Sequence, residues 1–545
     1  METFQVSKVS ILIFRYLSAM NKPLLVCLSL CLFTLTQSLA QATYMRLFGD
    51  SSHIQQASSL FPTADKGLIL CGVCEQAPGG HSDVLLVKVD SLGRQQWAKT
   101  YGGPYDEFGV AVKPCPSGGY YFLADAYGWS TDSTKDDYLV GKVDLQGNLE
   151  WNALLGGADN ESPTFLDLLP DGSLLIGGDT WSVSGGAILA YAARLSPTGS
   201  VIWQKGFGMA NHFNQKFYCS LPLSSGDVLL AGSTSPGLMS DYYMVRLNSL
   251  GDTLMNRSYG FPNKPEFVKD MVPGPNGQTY FLGLQYTDAQ SSNVTLLRLN
   301  ANADTVSHVS VGSFYFEQGI CMDQLTDGSL LVAGYVDTDT SAAIASRAVI
   351  YHIPSGNAPV AKWAGPAGYS EIKDIRGLPG GGYMACGEAS PDNPPADVEV
   401  LYTRTNPQGQ IGCTEENYPV SLTNIPVGGM QRGGAVMDLN FPLTQATLIQ
   451  ADYIGHSLVL CGPPDPQGVD ENNKNEKTRV YPNPCSDKLY VTGDAGPSVQ
   501  VFDILGKPMR GCTFIPGNPS VLYTQELPNG IYLLQTSGEK IPFIK

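Results

Sequence analysis

Residues Asp83–Gly103 read DVLLVKVDSLGRQQWAKTYGG. The stretch predicts a strand, a tight turn closing at Gly93, a second strand carrying Trp97, and a Gly-Gly exit. Versions of it begin at Asp137, Ile188, Asp241, Val294, Arg347 and Asp397, so the unit returns about every 52 residues. A glycine before an apolar run keeps the same period, at Gly67, Gly119, Gly172, Gly226, Gly277, Gly328 and Gly382. Two landmarks holding one period mean a repeat architecture.

Each period holds four short segments rich in Val, Leu, Tyr and Ile, bounded by Gly, Pro, Asp and Ser. Such segments are strands, and nothing between Thr43 and Gly409 sustains a 3.6-residue period. The turn between the third and fourth segments is Asp90–Gly93, Asp144–Gly147, Ser196–Gly199, Asn248–Gly251 and Asn406–Gly409. Asp, Asn or Ser opens it through its own backbone, and glycine closes it where φ must be positive. The copy Asn300–Ala303 lacks the glycine and is expected to be strained or of a different form.

A four-stranded unit repeated in series predicts an all-β, seven-bladed β-propeller over residues 43–410. The last unit lacks its fourth strand. Tyr44–Asp50 resembles Trp97–Gly103 and is expected to supply it from the front of the chain, closing the ring. Trp97, Trp151 and Trp203 share one position in the fourth strand, with Met255 and Tyr44 as equivalents and Trp363 nearer the exit. They are read as packing between blades. Trp129 and Trp181 fall between strands two and three, where a loop aromatic can meet a ligand. Acids recur after the exit glycines (Asp106, Glu107, Asp159, Glu161, Glu266, Glu317, Glu371), read as turn caps or as an acidic rim.

Residues 1–42 carry a leader. From Met20, the expected true start, a basic residue, an apolar run and a small-residue site near Ala40 form a secretory signal. No other segment is apolar enough to span a bilayer, so no transmembrane anchor is expected once the signal is removed. The net charge of −17 argues against a nucleic-acid partner. The six histidines are scattered and no phosphate loop or nucleophile elbow occurs, so neither metal, cofactor nor catalytic residue is assigned. Residues 411–462 contain strand-like pieces whose pairing the sequence leaves open, read as a small β extension on the last blade. Residues 463–477 are a polar linker. Cys413 with Cys461, and Cys485 with Cys512, are candidate disulfide pairs.

Residues 478–545 alternate short strands with turns and suit a small β-sandwich. Three motifs stand in order: Tyr481-Pro482-Asn483-Pro484; Val501 to Lys507, with Phe502, Asp503 and Gly506; and Leu527 to Tyr532, with Asn529 and Gly530. They resemble the type A C-terminal sorting domain of the type IX (Por) secretion system of Bacteroidota. The resemblance implies Sec export to the periplasm, the type IX machinery as partner, and a final place outside the cell or on its surface. With no catalytic constellation, the leading expectation is a secreted, non-catalytic scaffold binding a glycan or a protein. The competing one is a carbohydrate-active hydrolase or lyase working at the propeller's central face.

Overall fold

The turn at Asp90–Gly93 folds as its residues require. Asp90 Oδ1 accepts from the amides of Leu92 (2.8 Å) and Arg94 (2.9 Å), and Gly93 adopts φ +77°. Asp144, Ser196, Asn248, Asn300 and Asn406 repeat the two bonds. At Asn300–Ala303 the chain makes the same turn without glycine, holding Ala303 at φ +61°, a conformation costly for an L-residue.

The computed structural model describes residues 42–49, 53–75, 80–129, 134–183, 186–237, 239–260, 265–286, 292–313, 315–337, 346–355, 358–366, 368–390, 398–411, 417–424, 430–432, 435–453 and 456–461. In the tail it describes 479–481, 488–492, 499–503, 507, 509, 512–515, 520–525, 527–528, 531–535 and 540–544. Residues 1–41 and 463–477, where a leader and a polar linker are expected, lie outside these. The described residues are all-β, with one short 3-10 turn at Pro275–Gly277.

Residues 44–404 form antiparallel four-stranded meanders. Sheet 1 comprises Gln55–Pro62, Leu68–Glu75, Ser82–Val89 and Gln95–Gly102. Sheets 2, 3 and 4 begin with Asp106–Pro114, Glu161–Leu168 and Phe213–Pro222, and sheets 5 and 6 with Glu266–Pro273 and Phe316–Gln324. A single parallel bridge, Ser292 to Phe316, links sheets 5 and 6. In sheet 7, Tyr369–Gly377, Tyr383–Ser390 and Glu399–Arg404 are followed by Tyr44–Gly49, in register Tyr44–Arg404 through Phe48–Val400. The N-terminal strand therefore stands where the sequence reading put it.

Sheet 7 also packs on sheet 1. Tyr44, Phe48, Val400 and Tyr402 share one buried cluster with Leu60, Leu70, Leu85 and Val87. The contacts are those that join the other neighbours. Tyr402 Oη donates to Gly93 O at 2.9 Å, as Tyr101 Oη donates to Gly147 O at 2.5 Å. Asp374 Oδ2 accepts from Leu60 N at 2.9 Å, as Asp270 Oδ2 accepts from Met322 N at 2.8 Å.

The fourth-strand aromatics lie on the turn glycine of the following sheet. A Cβ on Gly93, Gly147, Gly199 or Gly251 would meet the ring of Tyr44, Trp97, Trp151 or Trp203 at 2.8 to 3.0 Å. Trp363 instead lies under the Arg347 guanidinium, 4.6 Å from it. Glycine at these turns thus answers to both φ and space. Gly147→Ala should cost about 2–3 kcal/mol, combining a left-handed Cβ with overpacking. Gly226→Ala, with φ +85° and nothing within 4 Å, should cost only about 1 kcal/mol. Chemical denaturation of the pair checks this, and equal losses would contradict the packing role.

Residues 411–462 do not form an extension on the last unit. They supply a fifth, outermost strand to each sheet in turn, running against the chain order. Asn417–Tyr418 pairs with sheet 6, Ser421–Asn424 with sheet 5, Met430–Arg432 with sheet 4 and Ala435–Asp438 with sheet 3. Leu443–Thr444 then pairs with sheet 2, Ile449–Asp452 with sheet 1, and His456–Cys461 with Tyr44–Gly49 of sheet 7. The segment is a belt that covers sheet edges which would otherwise offer unpaired backbone. Side chains anchor it: Phe441 stacks on Tyr191 (5.5 Å), Tyr453 meets Phe48 (5.7 Å), and Ala446 N donates to Asn152 Oδ1 (2.8 Å).

The tail folds as a four-stranded and a three-stranded sheet that share a core of Leu489, Val491, Val501, Leu522, Tyr532 and Leu534. Phe502 lies in a strand, Lys507 is exposed, and Tyr532 is buried with its hydroxyl donating to Pro528 O at 2.7 Å. Tyr481 ends a strand and Asp503 ends another. Pro482, Asn483, Pro484, Gly506, Asn529 and Gly530 lie outside the described residues.

Candidate functional site

The first strands of all seven sheets line one cavity of about 460 Å³. Each of these strands carries a bulge at the same register. The residue left unpaired is Ser58, Val110, Thr164, Tyr218, Lys269, Ile320 or Lys373, and every one of them lines the cavity. Opposite the bulge stands Gly72, Gly178, Gly232, Gly283, Gly334 or Gly387, with Ala124 in sheet 2. A Cβ on Gly72 would fall 1.8 Å from Gln56 O, so the bulge and the glycine require each other.

Charge in the cavity is paired both across and within sheets. Lys113 meets Asp167 of the next sheet at 2.7 Å, and Arg376 meets Asp374 of its own strand at 3.1 Å. Asp323 Oδ2 accepts from Gly377 N at 2.7 Å. Burial pushes the Asp270 carboxyl up to about 7, against the pull of Arg376. Where the innermost strands begin, Lys216 meets Asp179 at 2.9 Å and donates to Ser162 Oγ at 2.7 Å. On the other side Lys373 bridges Glu371 and Glu388, lying 3.2 Å from Glu388 Oε1, and the Tyr369 hydroxyl donates to the same carboxylate.

Of the recurring acids, Glu107, Glu161, Glu266, Glu317 and Glu371 are buried rather than set around a rim, while Asp106 and Asp159 are partly exposed. Glu107, Glu161, Glu266 and Glu317 occupy one register, with Gln55, Gln215 and Ser370 in the remaining sheets. Glu107 accepts from Gly103 N (3.1 Å), Glu161 from Gly157 N (2.9 Å) and Thr180 Oγ1 (2.8 Å), and Glu317 from Ser313 N (2.7 Å). They tie the exit loop to its sheet. Glu371 belongs one position later, where Gln56, Phe108, Ser162, Lys216, Phe267 and Gln318 stand. It was grouped with the wrong register, and its partnership with Glu388 and Lys373 was missed.

Trp129 packs on Gly103 and its indole N–H donates to Glu107, so its ring is committed to the sheet. Trp181 is 45% exposed, held by its N–H to Asp179 Oδ2 at 3.1 Å. Asp106 accepts from Ser82 N at 2.8 Å and lies 3.5 Å from His81. Cys461 is disulfide-bonded. Cys413 and Cys485 lie outside the described residues. No group of three or more His, Cys, Asp or Glu among the described residues is placed to hold a metal ion. No helix among them is long and apolar enough to cross a membrane.

Burial sets the pH response. Glu107 and Asp137 are pushed up to about 7 and Asp125 to about 8, burial being the first cause in each. These groups and Asp270 bind a proton more tightly folded than unfolded, so their contribution is full near pH 4 and lost as pH rises through 7 to 8. Burial pushes His308 down from 6.5 to about 4, so its contribution is present above 6.5 and lost as pH falls toward 4. Thermal stability should therefore rise from pH ~8.5 to ~6.5 and be no lower at ~4.5, because the four raised carboxyls together outweigh the one histidine. Scanning calorimetry at the three values checks it, and a midpoint that climbs steadily to pH ~8.5 would contradict the assignment.

Residues 479–545 match the family model described as the secretion system C-terminal sorting domain. Among solved structures the chain is similar to PorZ, an essential bacterial surface component of the type-IX secretion system of Porphyromonas gingivalis. That match is 10% identical and covers 90% of this chain and 81% of that one, with a TM-score of 0.26. It is also similar to an endo-1,5-alpha-L-arabinanase from Thermotoga petrophila, at 12% identity over 67% of this chain and all of the other, with a TM-score of 0.25. No curated protein matches the sequence.

Proposed function

We propose that the chain is a closed seven-bladed β-propeller, exported by the type IX system of a member of the Bacteroidota, that serves outside the cell or on its surface as a non-catalytic binding scaffold for a glycan or a protein. The sorting tail implies export to the surface or beyond. Closure is supported by the matching contacts between sheets 7 and 1 and by the cavity to which seven strands contribute. The observation that carries the binding reading is the use of the recurring acids. Glu107, Glu161 and Glu317 are spent on backbone amides of the loops that lead into their strands, a capping use rather than a catalytic one.

A second reading has one observation of its own. Glu371 and Glu388 are a non-repeated carboxylate pair on one lysine at the cavity mouth, and a hydrolase would use such a pair. Glycan-array binding with the mature protein, followed by a reducing-end release assay on each bound glycan, separates the two. The scaffold reading expects binding without release. Release that is abolished in Glu371→Gln and Glu388→Gln would overturn it.

We assign Cys413 as the partner of Cys461. Cys461 Sγ lies 3.7 Å from the carbonyl of Ile411, two residues earlier in the chain than Cys413. This bond joins the two ends of the belt.

A further inference from the structure

One cation in the cavity is uncompensated. Lys113, Lys216, Lys373 and Arg376 each lie within reach of a carboxylate. Lys269 has no carboxylate within the 4.0 Å of an ion pair among the described residues. Its neighbour Asp270 does not serve it, because the two carboxylate oxygens accept from Met271 N and Met322 N, both at 2.8 Å. The Lys269 ammonium instead stands 6.0 Å from the centre of the Tyr218 ring. Its place is fixed, since it is the bulge residue of sheet 5 and the bulge aims it into the cavity. Leaving a half-buried ammonium without a counter-charge is costly to the fold. Burial and the nearby Lys373 hold it below the usual lysine range.

The surroundings fit one kind of anion. About 460 Å³ accommodates a single sugar ring rather than a folded chain. The wall offers hydroxyls from Ser58 and Tyr218 beside the apolar Val110 and Ile320, while the Thr164 hydroxyl is taken up by Gly177 O and Phe217 O. An acidic sugar presents a carboxylate to an ammonium, hydroxyls to hydroxyls, and C–H faces to apolar wall. We propose that the cavity is a binding site for a uronic acid residue whose carboxylate pairs with Lys269. The proposal rests on the binding-scaffold reading and gives it a ligand class.

Isothermal titration of the full-length mature protein at pH 7 tests it, with D-glucuronate, D-glucose and acetate as probes. Glucuronate should bind at least tenfold more tightly than either control. Lys269→Gln should weaken glucuronate at least tenfold, while its melting temperature equals or exceeds that of the wild type, since an uncompensated charge has been removed. Lys269→Met should behave alike. Absence of glucuronate binding, equal affinity for glucose, equal affinity for acetate, or unchanged affinity in Lys269→Gln would each overturn the site. A loss of stability in both variants would also overturn it, because Lys269 would then serve the fold. Binding to an arrayed glycan or a protein that survives Lys269→Gln would leave the scaffold reading standing while removing this cavity as its site.

Discussion

Leu47→Asp is expected to abolish cooperative folding of the repeat region. Leu47 is fully buried at the centre of the N-terminal strand, paired with Leu401 on one side and Leu458 on the other. It belongs to a cluster that also holds Ile372, Ile375, Ala385 and Ile411. A carboxylate there meets no donor and would have to be buried protonated or expel the strand. The cost is about 4 kcal/mol or more, a large part of the stability of any domain. Expelling the strand would strip sheet 7 of its outer pairing and remove the seat of His456–Cys461. Leu47→Met, close in volume, should cost about 1 kcal/mol. Guanidinium titrations followed by circular dichroism distinguish the pair. If Tyr44–Gly49 were a free arm, both substitutions would be silent.

Breaking the Cys461 disulfide should have the next largest effect. With Cys413 as its partner, the bond closes a loop of about 49 residues and restricts the unfolded chain by about 4 kcal/mol. The closed loop is also the belt, which touches every sheet between its ends. Cys461→Ala, or mild reduction of the wild type, should lower the unfolding free energy by about that amount, read as a lower denaturation midpoint, and make belt amides such as those of Ile449–Asp452 exchange faster. Peptide mapping without reductant should recover the residue 413 and residue 461 peptides joined. A map joining Cys461 to Cys485, or a midpoint that ignores reduction, would refute this role. Cys71, by contrast, is sealed in a core where burial pushes its thiol up, which suits packing rather than redox chemistry.

The parts of the fold legible in the sequence are those whose signal is local and repeated. Gly93, Gly147 and Gly199 sit in a turn that needs positive φ and in a space that admits no Cβ, so their spacing announced the units. Trp97, Trp151 and Trp203 repeat because each covers the same feature of the next sheet. Tyr44 was recognisable as their equivalent because it does the same for sheet 1.

The belt was illegible for an equally physical reason. Leu443–Thr444 is only two residues long, and no two belt strands share a partner sheet, so no period or alternation builds up along the segment. The clue lay on the other side, in polar residues buried on strands that should have been edges: Lys99, Asn152 and Gln204. The cavity was hidden by its bulges, which shift the inward face of each first strand by one residue partway along. Lys269 reads as an exposed position if the strand is taken as regular. Glu371 is hard to place from the sequence because the loop before it is as long as the one before Glu266, six residues on from the glycine, yet the two acids fall in different registers.

In the proposed ring the N-terminal strand is the closure, seated between the last sheet and the belt. Hydrogen exchange at the amides of Tyr44–Gly49 tests it most directly. These residues are paired on both sides, with Arg404–Val400 and with Cys461–His456, and are predicted to exchange only on global unfolding, as slowly as Leu85 and Val87 in the middle of sheet 1. Exchange within seconds at Tyr44–Gly49, with the rest of the repeat region protected, would mean that the ring is open.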